Sequence, residues 1–294
     1  MRRIYKIMFF FSVGLTVAAI ILTAAFGLRF GADFRGGSVM ELVFNDQRPS
    51  VDELDKVIGT VEGVSDVSVS PAGDNGALIR LNDVGEQTHQ NILGAISGKF
   101  GKITENRFDS IGPTIGNDLK SKSIKAIIIS LLAIVVYLAI VFRKLSSVLS
   151  PWALGLSAVA ALVHDVLVPI GLFALLGHYL NIEITSIFVA AALTILGYSI
   201  SDSVVVFDRI RENVLRFGAR EDFGETVHKS VMQTLVRSLN TTFTVLLSLV
   251  AIFFFGGESI KYFALALIVG VFSGAYSSIF IASPILAWWG RSRK

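Results

Sequence analysis

The chain has 294 residues, 53% of them hydrophobic and 17% charged, with a formal net charge of +3 and a mean hydropathy of +0.66. A soluble chain carries about 25% charged residues, and the apolar excess here falls in long runs, the pattern of membrane spans in a lipid bilayer. The basic residues cluster beside those runs, so they read as topology signals and no nucleic-acid partner is expected. The absence of cysteine excludes structural disulfides and leaves the redox compartment open.

The first run, Ile7–Leu28, follows Arg2, Arg3 and Lys6. It is long for the core of a signal peptide, and Phe26-Gly27-Leu28-Arg29 is not a small-x-small cleavage site, so it reads as a retained span. Five further runs are long enough to cross: Ile124–Phe142, Trp152–Leu176, Ile184–Phe207, Leu235–Phe255 and Tyr262–Trp289. At 1.5 Å per residue, about 20 residues cover the hydrocarbon core. Arg2, Arg3, Lys6, Arg143, Lys144, Arg209, Arg211, Arg216, Arg220, Lys229, Arg291, Arg293 and Lys294 fall on one side, whereas the short loops of the other carry only Lys261. Both termini are therefore expected in the cytoplasm. Lys120, Lys122 and Lys125 depart from the pattern, but they end a long translocated segment, where the rule is weak.

Three domains are expected: residues 1–28, the first span; residues 29–123, the only soluble domain; and residues 124–294, five spans with a cytoplasmic connector at about 208–234. The soluble segment reads β-α-β-β-α-β, the ferredoxin-like split βαβ order. Val39–Phe44 is a strand, and Ser50 with Glu53 is a capping box opening a helix with Leu54, Val57, Ile58 and Val61 on one face. Val67 and Val69 alternate with Ser68 and Ser70 as in a half-buried strand, Pro71 to Gly76 reads as a turn, and Ala77–Leu81 pairs back. A helix follows with Ile92, Leu93, Ile96 and Phe100 inward, then a strand near Ile103–Asp109. His89 reads as a solvated helix residue, and so small a domain suits interaction better than catalysis. The connector places Arg209, Arg211, Arg216 and Arg220 among Ile210, Val214, Leu215 and Phe217, which fits amphipathic interfacial helices or a solvated link equally.

Three charged groups stand inside the runs. Asp202 lies about five residues from the cytoplasmic end of the fourth, among Gly197, Ser199, Ser201 and Ser203. Arg237 lies about two residues inside the fifth, which runs the opposite way, so the two are expected to share a depth. Hydrocarbon penalises each ionised side chain by about 2.5–3.5 kcal/mol, so such residues mark an ion or substrate path. An aspartate that gains and loses a guanidinium partner is a proton switch. His164 and Asp165 sit near the centre of the third run and read either as part of that path or as an interhelical clamp. Gly270-x-x-x-Gly274 permits a close helix crossing, and Pro284 a kink in the same span.

No enzyme is expected, and no cofactor. The aspartates lack the Gly-x-Gly-Asp context of intramembrane aspartyl proteases, His164 and Asp165 are too few for a metal, and Gly31–Gly37 lacks the Gly-Lys-Ser/Thr of a phosphate loop.

Gly31-Ala-Asp33-Phe34-Arg35-Gly36-Gly37 resembles the DFxGG element of the SecF family. Phe108-Asp-Ser-Ile-Gly-Pro-Thr-Ile-Gly116, Gly197-Tyr-Ser-Ile-Ser-Asp-Ser203, Phe207-Asp-Arg-Ile-Arg-Glu-Asn213, Arg237-Ser-Leu-Asn-Thr-Thr242 and Phe255-Gly-Gly-Glu-Ser-Ile260 resemble it too, in order and from one end to the other. The resemblance implies half of a SecDF complex of the resistance–nodulation–division superfamily. It implies SecD as a partner with six more spans, association with the SecYEG channel, and use of protons to pull an emerging preprotein outward after the SecA motor has pushed it. It ties Asp202 and Arg237 to proton transport, with Asp165, beside His164, a further polar position. Any aspartate that SecD supplies is absent here, so proton transport by this chain alone is not implied. The alternatives are a small-molecule or lipid exporter of the same superfamily and a passive assembly factor held by polar clamps.

Overall fold

The computed structural model describes residues 3–143, 151–217 and 222–291. Of the basic residues used for orientation, Arg2, Lys144, Arg220, Arg293 and Lys294 lie outside these. The chain divides into two units, each treated by itself.

The smaller unit comprises Phe30–Ile124 and Glu183–Ser186. The first helix of the chain, α1 (Arg3–Phe26), precedes it, and a short α2 (Ala32–Arg35) opens it. Then follow β1 (Gly37–Phe44), α3 (Val51–Ile58), β2 (Ser68–Ala72), β3 (Gly76–Leu81), α4 (Glu86–Phe100) and β4 (Ile103–Ile111). The sheet is antiparallel with order β2-β3-β1-β4, the expected ferredoxin-like arrangement. One face of the sheet and the apolar faces of both helices close on Met40, Leu42, Leu54, Ile58, Ile79, Ile92 and Ile96, all buried.

The capping box forms as read: the Ser50 hydroxyl accepts from the Glu53 amide, and the Glu53 carboxylate accepts from the Ser50 amide at 3.1 Å. Two expectations need correcting. Pro71 and Ala72 belong to β2 and not to the turn. β2 is an edge strand, where a missing proline N–H costs no ladder bond. His89 is not solvated. It is 4% exposed, lies flat on Phe108 with ring centroids 3.8 Å apart, and bonds Glu105 through Nε2 at 2.7 Å and Glu86 through Nδ1 at 3.3 Å.

The larger unit comprises Met1–Arg29, Lys125–Ile182 and Ile187–Lys294. Among the described residues six helical stretches are long and apolar enough to cross a membrane. They are α1, α5 (Pro113–Val141), α6 (Pro151–Leu180), α7 (Ser186–Phe217), α8 (Phe223–Phe255), and a last span made of α9 (Glu258–Ser277), a π-helical turn (Ser278–Ala282) and α10 (Ser283–Arg291). α6 and the last span are the most buried, α1 and α5 the least. Phe142, Leu154, Phe207, Ile210, Val227 and Leu286 belong to the shared core. The π turn ends two residues before Pro284, whose ring would otherwise meet the carbonyl four residues back in an α-helix. Of the stretch 208–234, α7 covers the residues as far as Phe217 and α8 those from Phe223, while residues 218–221 lie outside the described ones.

Two measurements probe the smaller unit. Ile79→Ala removes a fully buried side chain and should cost about 2–5 kcal/mol, read as lost amide protection across β1 and β3 in the intact protein. Hydrogen bonds from Ser50 hold the Glu53 carboxyl below its ordinary value of 4.5. A depressed value means that its support for α3 is present at neutral pH and fades as pH falls through that range. Intrinsic-rate-corrected protection of α3 should fall on acidification, and less steeply in Glu53→Gln; parallel profiles would contradict this.

Candidate functional site: two hydroxyl-bound carboxylates in the larger unit

α9 lies close to α7 because Gly270 and Gly274 present no side chain. A Cβ at Gly274 would stand 3.0 Å from the Ser199 Cβ, and one at Gly270 would overlap Ile195. The close approach brings Ser199 and Ser277 to one carboxylate. Asp165, in the middle of α6 and wholly buried, accepts at Oδ2 from Ser199 Oγ and Ser277 Oγ, each at 2.6 Å. Its Oδ1 lies 2.9 Å from His164 Nδ1. The His164 ring is buried beside Tyr276, with centroids 6.3 Å apart. Its Nε2 has no hydrogen-bond partner among the described residues. Pro169, four residues after Asp165, brings no N–H to the Asp165 carbonyl.

Asp202, on α7, is half-buried. Its Oδ1 accepts from Ser238 Oγ of α8 and its Oδ2 from Ser278 Oγ of the π turn. One turn earlier, Tyr198 donates to Thr242 Oγ1 at 3.0 Å. Ser277 and Ser278 are consecutive, so adjacent hydroxyls serve the two carboxylates.

Arg237 makes no direct contact with the Asp202 carboxylate among the described residues. Among the described residues no ion pair joins it to Asp202, and its side chain is exposed on α8. Depth alone did not determine direction: successive residues diverge by about 100° around a helix, and it is the neighbouring Ser238 that faces Asp202. Ser199, expected beside Asp202, serves Asp165 instead. Ser238, Ser277 and Ser278 were not anticipated, because hydroxyls in apolar runs carry no charge signal; the Ser277-Ser278 doublet was the available clue.

A serine hydroxyl has one hydrogen and two lone pairs. Ser277 Oγ also lies 3.2 Å from Gly274 O, and Ser278 Oγ 3.0 Å from Ala275 O. Each can give its hydrogen to an ionised carboxylate, or turn it to its own helix and accept from a protonated one. At each carboxylate one hydroxyl can therefore serve both protonation states. Among the described residues no group of three or more His, Asp or Glu side chains suits a metal.

Residues 92–292 match the model described as protein export membrane protein SecD/SecF, C-terminal, and residues 21–47 match the SecD/SecF GG motif. The protein translocase subunit SecF of Thermobaculum terrenum is 40% identical over 95% of this chain and 90% of its own length. The protein translocase subunit SecDF of Brucella abortus is 34% identical over 96% of this chain, which spans only 36% of it. The crystal structure of SecDF from Thermus thermophilus superposes with a TM-score of 0.84 and 30% identity, over 98% of this chain and 38% of that one.

Gly274→Leu forces α9 from Ser199, an overpacking cost of about 1–3 kcal/mol. The detergent-solubilised variant should melt clearly below the unsubstituted protein, and equal melting of those two would show that the crossing does not depend on the glycine.

Proposed function

The chain belongs to the SecD/SecF family of protein-export membrane proteins, and we propose that it is an auxiliary subunit of Sec export that acts with SecD, using the proton motive force to complete translocation of polypeptides. The observation that carries this reading is the pair of carboxylates within the spans, each held by two serine hydroxyls of which one has a backbone carbonyl as alternative acceptor. Asp202 is the proton carrier in this reading. Arg237, one residue from a hydroxyl that binds it, is the group that approaches when the shell opens, and Asp165 with His164 is the inner acceptor of the same path.

A polar stripe supports a membrane partner. Arg237, Asn240, Thr241, Thr244 and Ser248 are exposed along α8, and Thr194, Gly197 and Ser201 along α7. A guanidinium facing hydrocarbon costs about 2.5–3.5 kcal/mol, so this face calls for polar cover from another subunit. The fused relatives fit that need, since this chain spans little more than a third of their length. SecD is the proposed cover, and SecYEG with its translocating preprotein the proposed place of action. The charge pattern supports a cytoplasmic (inner) membrane location with both termini cytoplasmic and the smaller unit periplasmic.

The exporter alternative would use an apolar cleft, and one of about 710 Å³ lies among Tyr5, Leu239, Phe243, Phe272 and Tyr276. The naming of the relatives as translocase subunits weighs against it.

Asp202→Asn, co-expressed with SecD in a strain lacking the native copy, should insert normally. Preprotein export into its vesicles should fall to the rate measured with the gradient dissipated. Export that still responds fully to the gradient would refute the proposal.

A further inference from the structure

The DFxGG element lies far along the chain from the carboxylates, and the smaller unit gives it a concrete task. Gly36 and Gly37 have φ of +82° and +139°, and a Cβ on Gly36 would lie 2.7 Å from Pro113. Only glycine turns the chain so tightly. The turn leads from α2 straight into β1, an inner strand of the sheet, and leaves Asp33 on α2 half-buried beside the segment Glu183–Ser186.

Asp33 Oδ2 accepts from the Ser186 amide at 2.8 Å and from the Ser186 hydroxyl. Ser186 is the first residue of α7, and its amide is among those a helix cannot satisfy internally. The aspartate is thus an N-cap supplied from another segment of the same unit. Two more contacts hold the segment: a parallel bridge between Phe30 and Ile184, in which the Gly31 amide donates to Ile184 O at 2.9 Å, and a pair between Arg80 of β3 and Glu183 at 2.8 Å. The helix so gripped is the one that carries Asp202, sixteen residues on, or about 24 Å along its axis at 1.5 Å per residue. The hydroxyls that bind Asp202 come from α8 and the π turn, so any change in their hold is a force on α7 relative to those elements.

We propose that Asp33 is a positioning residue that transmits displacement of α7 to the sheet of the smaller unit, through its cap on Ser186 and the two glycines that join α2 to β1. This rests on the reading of Asp202 as a proton carrier. Capping needs an acceptor and not a charge, because asparagine and aspartate cap equally well. The amide is what is gripped, and proline at the first helical position removes that amide while preserving the helix start.

The test uses the whole chain with SecD in vesicles and compares preprotein export with and without a gradient. Asp33→Ala should lower the gradient-dependent part about fivefold, the size of one lost cap, with the gradient-independent part unchanged. Asp33→Asn should retain it. Ser186→Pro should reproduce the loss, and Asp33→Ala with Ser186→Pro should lose no more than either alone. Should Asp33→Ala fail to accumulate, Ser186→Pro carries the test. Full gradient dependence in either severing variant overturns the proposal, as does an Asp33→Asn variant as defective as Asp33→Ala. A response to the gradient that survives Asp202→Asn is a different failure, that of the proton-carrier reading itself.

Discussion

A carboxylate removed from water must be met by donors, and that requirement organises the larger unit. Asp165 draws one residue from α7 and one from α9, and Asp202 one from α8 and one from the π turn. Four membrane elements are thereby pinned around two side chains. Polar satisfaction and helix packing are the same problem here: the serines reach the carboxylates only where the helices come close, and α9 comes close to α7 only because Gly274 adds nothing to the gap. Leaving such a group unmatched would cost more than any single packing contact returns.

Features set by neighbours in sequence were legible. The capping box needs only Ser50 and Glu53, and it forms as read. The ferredoxin-like order follows from alternation and turn chemistry, and the carboxylates inside apolar runs point to where the serine hydroxyls converge. Features set by neighbours in space were not. His89 stands among Gln90 and Asn91, and nothing local says that Phe108 and Glu105 of a later strand will cover it. The inward position of Arg237 gave its depth but not its azimuth. Ser199 lies three residues from Asp202 on one helix, yet the crossing of α6 claims it for Asp165. The short α2 escaped notice because four residues carry no periodicity.

The two units use polar contacts differently. In the smaller one they lie at the edges of the packing: a capping box, a cap on the first turn of α7, and the carboxylates of Glu86 and Glu105 on His89. Such contacts are worth about a kilocalorie per mole each, small enough to be remade during a cycle while the apolar core keeps the sheet intact. In the larger one the polar contacts are the centre of the packing, and their strength decides whether any cycle is possible.

That strength can be set against the driving force. One charge crossing 100 mV releases about 2.3 kcal/mol. Breaking a buried ion pair by removing one partner costs about 3–5 kcal/mol, more than one proton supplies at that potential. An Asp202–Arg237 pair locked in the resting state would therefore be a trap for a device driven one proton at a time. Hydroxyl partners avoid the trap: Ser277 and Ser278 each keep a carbonyl of their own helix as an alternative acceptor and lose little when the carboxylate is protonated. Among the described residues Asp202 is met by hydroxyls and not by an ion pair with Arg237, an arrangement that suits the proposed proton-driven cycle.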